Sequence, residues 1–303
     1  MKKQITNLLS LAVIGLALVS CQKESDNTMV PNENGNNRQG SGTIISPVIG
    51  APPSAFTQKA LVESYVSANE GRTPMNDYML NTVRGTYPNR IIAANFHSTD
   101  KMSSSASDEL LGFIGSQPSQ IPATMQNRIP YNGNLFNTSM NWNSNLPATL
   151  SSTATAGLAI QSSVSGTNLV NVFLHAGFNT SLSGNYKLVA YLVENNVTGS
   201  GQGFDQANSS NNDPASPFYN MGNPIPNYTH NYVVRQMITS VEGVNIPSSH
   251  LVMGGHFRHR VTFDLPPMYN ISNCYIVAYV YNASNMQVLN AQTARLNTIQ
   301  NWD

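Results

Sequence analysis

Short strand-like segments separated by turn-forming residues fill the second half of the chain, and this pattern constrains the fold more than any other feature. Each segment is rich in aliphatic, β-branched or aromatic residues, and clusters of Gly, Asn, Ser and Pro lie between them. Such a series is typical of two packed antiparallel sheets. The segments are Ala156–Ser162, Asn168–Ala176, Asn185–Glu194, Asn231–Thr239, Phe257–Leu265, Cys274–Tyr281 and Gln287–Ala291. We therefore expect an all-β antiparallel sandwich over residues 146–303.

The residues before the sandwich follow a different pattern. Lys59–Tyr65 and Arg90–Phe96 are runs of strand length, and between them Met75, Met79 and Val83 recur at the spacing of one helix face. Two strands joined by one helix over so short a distance usually lie parallel in one sheet, with a right-handed crossover. The pattern therefore predicts a β-α-β unit.

A second helix is expected over Asp108–Ile114, with Ser105 and Asp108 at the spacing of a capping box. Residues 120–128 look extended. Together with the β-α-β unit, these elements predict an α/β domain over residues 57–145.

A long stretch of Asn, Gly, Ser and Pro from Asn195 to Tyr228 interrupts the series of strands. A loop of this length without its own secondary structure is uncommon unless it is functional or disordered. We therefore regard it as the best candidate for a variable or partner-facing loop.

The N-terminus has the three parts of a secretory signal: two early lysines, an apolar run over Leu8–Val19, and small Ser20 immediately before Cys21. The apolar run is shorter than the roughly 20 residues that a membrane-spanning helix needs. We therefore predict that residues 1–20 are a lipoprotein signal peptide and that Cys21 is the lipidated first residue of the mature chain. The alternative is an ordinary signal peptide followed by an incidental cysteine.

A short polar stretch follows directly after that cysteine. It consists of Gln22 and the charged residues Lys23, Glu24 and Asp26, with Ser25 between the last two. The stretch resembles the short export tag of Bacteroidota lipoproteins that reach the outer face of the outer membrane. A solvated tether would also be rich in charge. Residues 21–56 contain few apolar side chains, so we expect a flexible tether.

Charge and cysteine content exclude several classes of site. Lys and Arg number 15, as do Asp and Glu, and charged residues make up 10% of the chain. Nothing in this balance favours nucleic acid as a partner. Cys21 and Cys274 are the only cysteines. If Cys21 is acylated, neither an intramolecular disulfide nor a cysteine-based metal site can form, and Cys274 is expected to be a buried apolar side chain.

Histidines and acidic residues do not form an evident metal site. In an extended strand His256 and His259 lie on opposite faces, so together with His250 they are not expected to converge. Asp205–Asp213 is rich in oxygen ligands but lacks the regular spacing of a calcium loop. We expect no metal and no other cofactor.

No catalytic motif is present either. His230 and Arg235 fall on opposite faces of their strand by parity, and we expect them to pair with buried carbonyl groups or with Glu194. The sequence contains no serine elbow, Walker loop or dinucleotide fingerprint. A triad assembled from distant loops stays open, because spacing cannot reveal it.

Three segments together resemble the Bacteroidota outer-membrane lipoprotein family related to the outer membrane protein of about 28 kDa, whose members join a thioredoxin-like domain to a β-sandwich. The segments are Leu188–Glu194, His230–Arg235 and Val288–Ala291. The resemblance implies an α+β fold: a degenerate thioredoxin-like α/β domain followed by an all-β antiparallel sandwich.

Members of that family commonly carry a Cys-x-x-Cys-Pro loop after the first strand, and here both thiols are missing. The resemblance places the degenerate loop at Glu70, Gly71, Arg72, Thr73 and Pro74. It also places Pro122 where thioredoxin-like folds have a cis-proline. Without thiols the loop cannot perform thiol-disulfide exchange. The loop and Pro122 could still form a groove for an extended peptide, or Glu70 could serve only to stabilise the helix N-terminus.

The resemblance implies a non-catalytic, lipid-anchored lipoprotein of the outer membrane, exposed at the cell surface, that binds a protein, peptide or glycan or helps to organise an envelope assembly. The alternative is a thioredoxin-derived enzyme or periplasmic chaperone. An insulin-reduction assay distinguishes the two.

Overall fold

The computed structural model describes residues 47–138, 142–166 and 168–303, with the side chains of residues 142–145 omitted. The predicted signal peptide, Cys21 and the tag residues Gln22–Asp26 lie outside this part of the chain. Among the described residues, no helix has both the length and the apolar character needed to cross a membrane.

The first part of the described chain is the predicted β-α-β unit. Strands β1 (Ala60–Val66) and β2 (Ile91–His97) lie parallel and paired along their whole length, and helix α1 (Thr73–Thr86) connects them. Pro74 lies in the first turn of α1, where its missing N–H costs no helical hydrogen bond. Strand β3 (Ala123–Gln126) pairs antiparallel with the other side of β1. The prediction of a parallel pair is therefore confirmed.

Helix α2 spans Ser105–Ile114, and the predicted capping box is wrong. The helix begins three residues earlier than expected, so Ser105 lies inside its first turn. The N-cap is Ser104, whose hydroxyl donates to the carbonyl oxygen of Val234 and makes no capping bond. The contact with a distant strand therefore replaces the local cap. Gly115 ends the helix with φ of 67°, as a left-handed C-terminal glycine does.

The second half contains the seven predicted strands and two short strands that were not predicted. Their bounds are β4 Ala156–Val164, β5 Leu169–Phe178, β6 Tyr186–Glu194, β7 Val233–Met237, β8 Val244–Ile246, β9 His256–Asp264, β10 Cys274–Asn282, β11 Val288–Arg295 and β12 Ile299–Gln300. The unpredicted strands, β8 and β12, are three and two residues long, too short to show a hydrophobic pattern.

The strands form two sheets. The larger sheet has the order β11-β10-β6-β7-β2-β1-β3, with β8 also paired to β6, and the smaller has the order β12-β4-β5-β9. The thioredoxin-like part joins the sandwich within the larger sheet, where Asn95 of β2 pairs in parallel with Val233 of β7. The chain is thus α+β, a thioredoxin-like α/β part followed by an antiparallel sandwich, and one sheet continues through both.

Apolar side chains pack on both faces of the larger sheet. The face between the two sheets is packed by alternate residues of the long strands, for example Leu158, Leu174 and Ile276. Helix α2 covers part of the opposite face of the larger sheet through Leu110 and its neighbours. Burial of these side chains is the main stabilising contribution to such a fold.

Helix α3 (Trp142–Ser151) was not predicted, and it lies across the expected boundary between the two domains. It contains Pro147, and its apolar residues are not confined to one helix face. Leu146 and Leu150 are buried in a cluster with Leu80 and Val83 of α1. The helix is therefore stabilised by tertiary packing rather than by its own sequence pattern.

Candidate functional site

The degenerate loop follows β1 and leads into α1, which is the place expected for it. The Glu70 carboxylate accepts hydrogen bonds from Nε of Arg72 at 2.9 Å and from its backbone N–H at 3.2 Å. The bond from the Arg72 guanidinium lowers the pKa of the Glu70 carboxyl below its usual value. Thr73 is buried, and its hydroxyl accepts from the N–H of Ser67 at 3.4 Å. The loop is therefore fixed by its own side chains.

Arg72 also connects this loop to the segment before β3. Its guanidinium donates to Oε1 of Gln120 at 3.0 Å and to the carbonyl oxygen of Ile121 at 2.6 Å. The peptide bond between Ile121 and Pro122 is cis, the geometry that the thioredoxin-like placement implied. The structure thus brings together the degenerate loop and Pro122, and Arg72 donates a hydrogen bond to the carbonyl oxygen of the residue before the proline.

The long loop between β6 and β7 lies against the degenerate loop. The N–H and the hydroxyl of Ser209 both donate to the carbonyl oxygen of Gly71 at 2.9 Å, and the N–H of Ala207 donates to that of Ala68 at 2.8 Å. A Cβ on Gly71 would lie 2.8 Å from the backbone nitrogen of Ser209. This close approach requires glycine at position 71. We call residues 206–209 the covering segment.

Gln206 is the buried anchor of the covering segment. Its side-chain amide donates to the carbonyl oxygens of Ala68 at 3.2 Å and Glu70 at 3.0 Å. Asn208, the other buried amide of the segment, donates to the carbonyl oxygens of Phe218 and Gly222 at 2.9 and 3.0 Å. The amide-rich composition of this loop therefore has a structural cause, because the amides replace the hydrogen bonds of regular secondary structure.

A buried group of polar side chains lies beneath the loops, and the sequence did not reveal it. Nδ1 of His97 lies 2.7 Å from Oδ2 of Asp100, and both side chains are almost fully buried. Asp100 also accepts from the N–H groups of Ala68 at 2.7 Å and Met102 at 2.8 Å. Burial raises the pKa of the Asp100 carboxyl, but the hydrogen bond with His97 and those from the two backbone N–H groups together outweigh it, so the pKa lies below its usual value. Asp100 therefore ties the loop after β1 to the loop after β2.

His230 and Asp77 complete this group. The His230 ring lies 5.5 Å from that of His97, and its Nε2 lies 2.8 Å from the carbonyl oxygen of Phe204. Burial lowers the pKa of His230 to about 4 and raises that of Asp77 to about 6. Asp77 accepts from the hydroxyl of Tyr228 at 3.2 Å. In the sequence, only the place of His97 at the end of a predicted strand could have indicated this group. In α/β sheets, ligands usually bind at the carboxyl ends of the strands.

An open pocket lies above this group. Its volume is about 350 Å³, and it is lined by Asn69, Thr99, Asp100, Lys101, Gln202 and Gly203. The lining residues come from the loop after β1, the loop after β2 and the long loop after β6. Gln202 and Gly203 lie in the long loop that was the expected partner-facing candidate, whereas the other four lining residues had no predicted role.

A second buried polar group connects the thioredoxin-like part to the sandwich. Arg128 donates two hydrogen bonds of 2.8 Å to the Glu63 carboxylate, and it also contacts the hydroxyl of Tyr279 on β10. The side chains of Arg128 and Glu63 are 0% and 1% exposed. Burial of both charges is costly, so such a pair adds little net stability. It does join β1 to the segment after β3 and to β10.

The residues considered for metal or catalytic roles lie in separate places. His256 contacts His175, with a distance of 2.9 Å between ring nitrogens, while His259 is buried on the opposite face of β9. In residues 47–138, 142–166 and 168–303, no three His, Cys, Asp or Glu side chains converge as a metal site would require. Arg235 pairs with Glu194 at 2.8 Å, as expected.

Cys274 is also buried, as expected for an apolar side chain. Burial raises the pKa of its thiol to about 12. The thiol therefore stays protonated and unreactive at neutral pH.

Comparisons with known proteins agree with this architecture. HBP35 of Porphyromonas gingivalis superimposes with a TM-score of 0.61 at 17% identity, over 82% of this chain and 78% of that chain, which shows a shared fold. A domain of the outer membrane lipoprotein Omp28 from the same organism gives a TM-score of 0.31 at 13% identity, over 48% of this chain and 89% of that chain, too low to support an argument. No curated protein matches the chain.

The strongest comparison is with a protein family. The family model described as outer membrane protein Omp28 matches residues 117–300, which is more than half of the chain. The matched residues include cis-Pro122, the covering segment and all strands of the sandwich. The chain is a member of the Omp28 family of outer membrane proteins.

Proposed function

We propose that this protein is a lipid-anchored lipoprotein of the outer membrane, displayed at the cell surface, whose folded part binds a ligand without catalysing a reaction. The observation that carries the proposal is the state of the degenerate loop. It has no thiol, and Ser209 of the covering segment donates two hydrogen bonds to its carbonyl oxygen at Gly71. A redox active site needs both an accessible thiolate and an open groove.

The peptide groove of a thioredoxin-like fold is also occupied from the other side. An extended peptide would bind there through main-chain hydrogen bonds to the residue before the cis-proline. The carbonyl oxygen of that residue, Ile121, already accepts from Arg72 at 2.6 Å. The groove is therefore used for internal contacts, and we expect ligand binding at a neighbouring surface instead.

The lipid anchor follows from the sequence around Cys21. A lipoprotein cysteine carries several acyl chains, and two or more hydrophobic anchors give stable membrane attachment where one gives only marginal binding. Cys21→Ala should abolish incorporation of radiolabelled palmitate and release the protein from membranes. Continued labelling of this variant would contradict the anchor.

Surface display needs a separate test, because either leaflet could hold the anchor. Protease added to intact cells should degrade the protein if Gln22–Asp26 directs it to the outer face. Replacing Lys23, Glu24 and Asp26 with alanine should then protect it until the cells are lysed. Protection of the unaltered protein in intact cells would place it on the periplasmic leaflet.

The non-catalytic assignment is tested with insulin reduction, using Cys274→Ser as the matched variant. We expect the unaltered protein and the variant to give the same rate as buffer with dithiothreitol alone, because the thiol of Cys274 is buried. An acceleration that the variant loses would show thiol chemistry and support the alternative of a thioredoxin-derived enzyme.

A further inference from the structure

The pocket above Asp100 lies where the fold favours ligand binding. Strands β1 and β2 are parallel, with Val66 paired to His97, so both end at the same edge of the sheet. Asn69 follows β1 and Thr99 follows β2, and the side-chain amide of Asn69 donates to the carbonyl oxygen of Thr99 at 2.5 Å. In open α/β sheets, ligands bind outside the carboxyl ends of the strands.

The walls of the pocket are held in place by buried groups. Asp100 fixes both strand-end loops, because its carboxylate accepts from Ala68 N–H on one side and Met102 N–H on the other. The third wall is attached by the N–H of Lys101, which donates to the carbonyl oxygen of Gly203 at 3.2 Å. Thr99 has φ of 59°, which is unusual for a β-branched residue and is maintained by the surrounding contacts. The pocket is therefore formed before any ligand arrives.

The groups that remain available in the pocket define the chemistry of its ligand. The Asp100 carboxylate is buried, and its oxygens already accept from or contact His97 and two backbone N–H groups, so it has no exposed oxygen to offer a ligand. Lys101 belongs to none of the ion pairs in the described part of the chain. Of the two charged side chains in the lining, Lys101 is therefore the one whose charged group has no partner among the described residues. Asn69 and Gln202 add exposed amides, and no lining side chain is apolar.

We propose that this pocket binds a small hydroxylated carboxylate of the acidic monosaccharide class. The Lys101 ammonium would pair with the carboxylate, and the Gln202 amide would bind hydroxyl groups as donor and acceptor. One N–H of the Asn69 amide is used by Thr99, so Asn69 would contribute its oxygen and its second N–H. A volume of about 350 Å³ accommodates one sugar ring but no extended peptide. This inference rests on the proposed ligand-binding function and names its ligand class.

The test measures binding of glucuronate to the full mature chain in detergent by saturation-transfer NMR titration. Glucose serves as a probe with hydroxyl groups but no charge, and acetate as a probe with the charge but no hydroxyl groups. We expect saturable binding of glucuronate, and binding of glucose and acetate that is weaker by about tenfold or more. Glucose lacks the charge-assisted hydrogen bond to Lys101, and acetate lacks the hydroxyl groups that the amides would bind. Absence of saturable glucuronate binding, or equal binding of either smaller probe, would overturn the proposal.

Two lysine variants assign the site. Lys101→Met should weaken glucuronate binding by about tenfold or more, and Lys101→Arg should retain most of it because the charge remains. Lys187→Met is the matched control, because Lys187 is paired with Glu242 elsewhere on the surface, and it should bind as the unaltered protein does. Equal weakening by Lys101→Met and Lys187→Met would place the ligand outside this pocket. Palmitate labelling and insulin reduction do not involve Lys101, so failure here leaves those results standing.

Discussion

Ser209 donates two hydrogen bonds of 2.9 Å to the carbonyl oxygen of Gly71, one from its backbone N–H and one from its hydroxyl. The two residues are 138 positions apart in the chain. The contact attaches the long loop after β6 to the loop where thioredoxin-like proteins carry their thiols. It makes the degenerate loop a support for the pocket wall rather than an open groove.

Gly71→Ala should release the covering segment. The added Cβ would lie 2.8 Å from the backbone nitrogen of Ser209, so one of the two backbones must move. We expect a loss of about 1–3 kcal/mol in the free energy of unfolding, as for other overpacked sites. Urea unfolding measures this loss, and hydrogen exchange of residues 206–209 should increase.

Gly85→Ala is the matched control for that substitution. Gly85 lies in α1, and its added Cβ would meet nothing within 4 Å. Alanine is favoured over glycine in a helix, so this variant should be more stable by about 0.5–1 kcal/mol. If Gly71→Ala is as stable as the unaltered protein, the contact with Ser209 does not hold the loop.

Glu63→Gln should destabilise the protein strongly. The substitution leaves Arg128 charged and buried without its ionic partner, and such losses cost about 3–5 kcal/mol. Glu242→Gln removes a carboxylate that is 66% exposed and should cost less than about 1 kcal/mol. Chemical unfolding of both variants provides the comparison. Similar small effects would mean that the pair is not buried in solution.

His175 should make the protein less stable as the pH falls. Burial lowers its pKa to about 3, and the nearby His256 and Arg258 act in the same direction. In the unfolded chain the pKa is about 6.5, so below this value only the unfolded state takes up the proton. The contribution of the neutral His175 ring to the free energy of unfolding is therefore complete above pH 6.5. It decreases by roughly 1.4 kcal/mol per pH unit as the pH falls towards about 3.

Urea unfolding at two pH values checks this effect with His175→Gln. Between pH 7 and pH 5 the unaltered protein should lose about 2 kcal/mol more than the variant. Asp77 acts in the opposite direction in both proteins, because its raised pKa of about 6 adds stability as the pH falls, and so it cancels in the comparison. Equal losses in both proteins would mean that His175 is protonated in the folded state.

Gly157→Ala should detach the segment before β1 from the smaller sheet. Gly157 pairs with Gly177 across β4 and β5, and a Cβ at position 157 would lie 2.0 Å from the ring of Phe56. Phe56 is 6.1 Å from Trp302, so the indole fluorescence should change and proteolysis of residues 50–56 should become faster. Gly50→Ala, which meets nothing within 4 Å, is the control. Unchanged fluorescence and proteolysis would contradict the contact.

Strands and helices were predicted well wherever the apolar residues of that one segment recur at strand or helix spacing. Arg90–Phe96 was predicted as a strand and β2 spans Ile91–His97, because a buried strand is recognisable from its own apolar residues. Helix α3 escaped prediction because its stability comes from Leu146 and Leu150, which pack on another helix. Patterns within one segment cannot show what a neighbouring element will bury.

The sequence by itself determined that the loop at residues 70–74 has no thiol and that Cys21 is the only other cysteine besides Cys274. These are matters of residue identity, which folding does not alter. Only the tertiary structure decided that Ser209 donates to the carbonyl oxygen of Gly71, that Arg128 pairs with Glu63 and that Lys101 lines a pocket. Each depends on contacts between distant segments, and their hydrogen bonds form only once hydrophobic burial has brought those segments together.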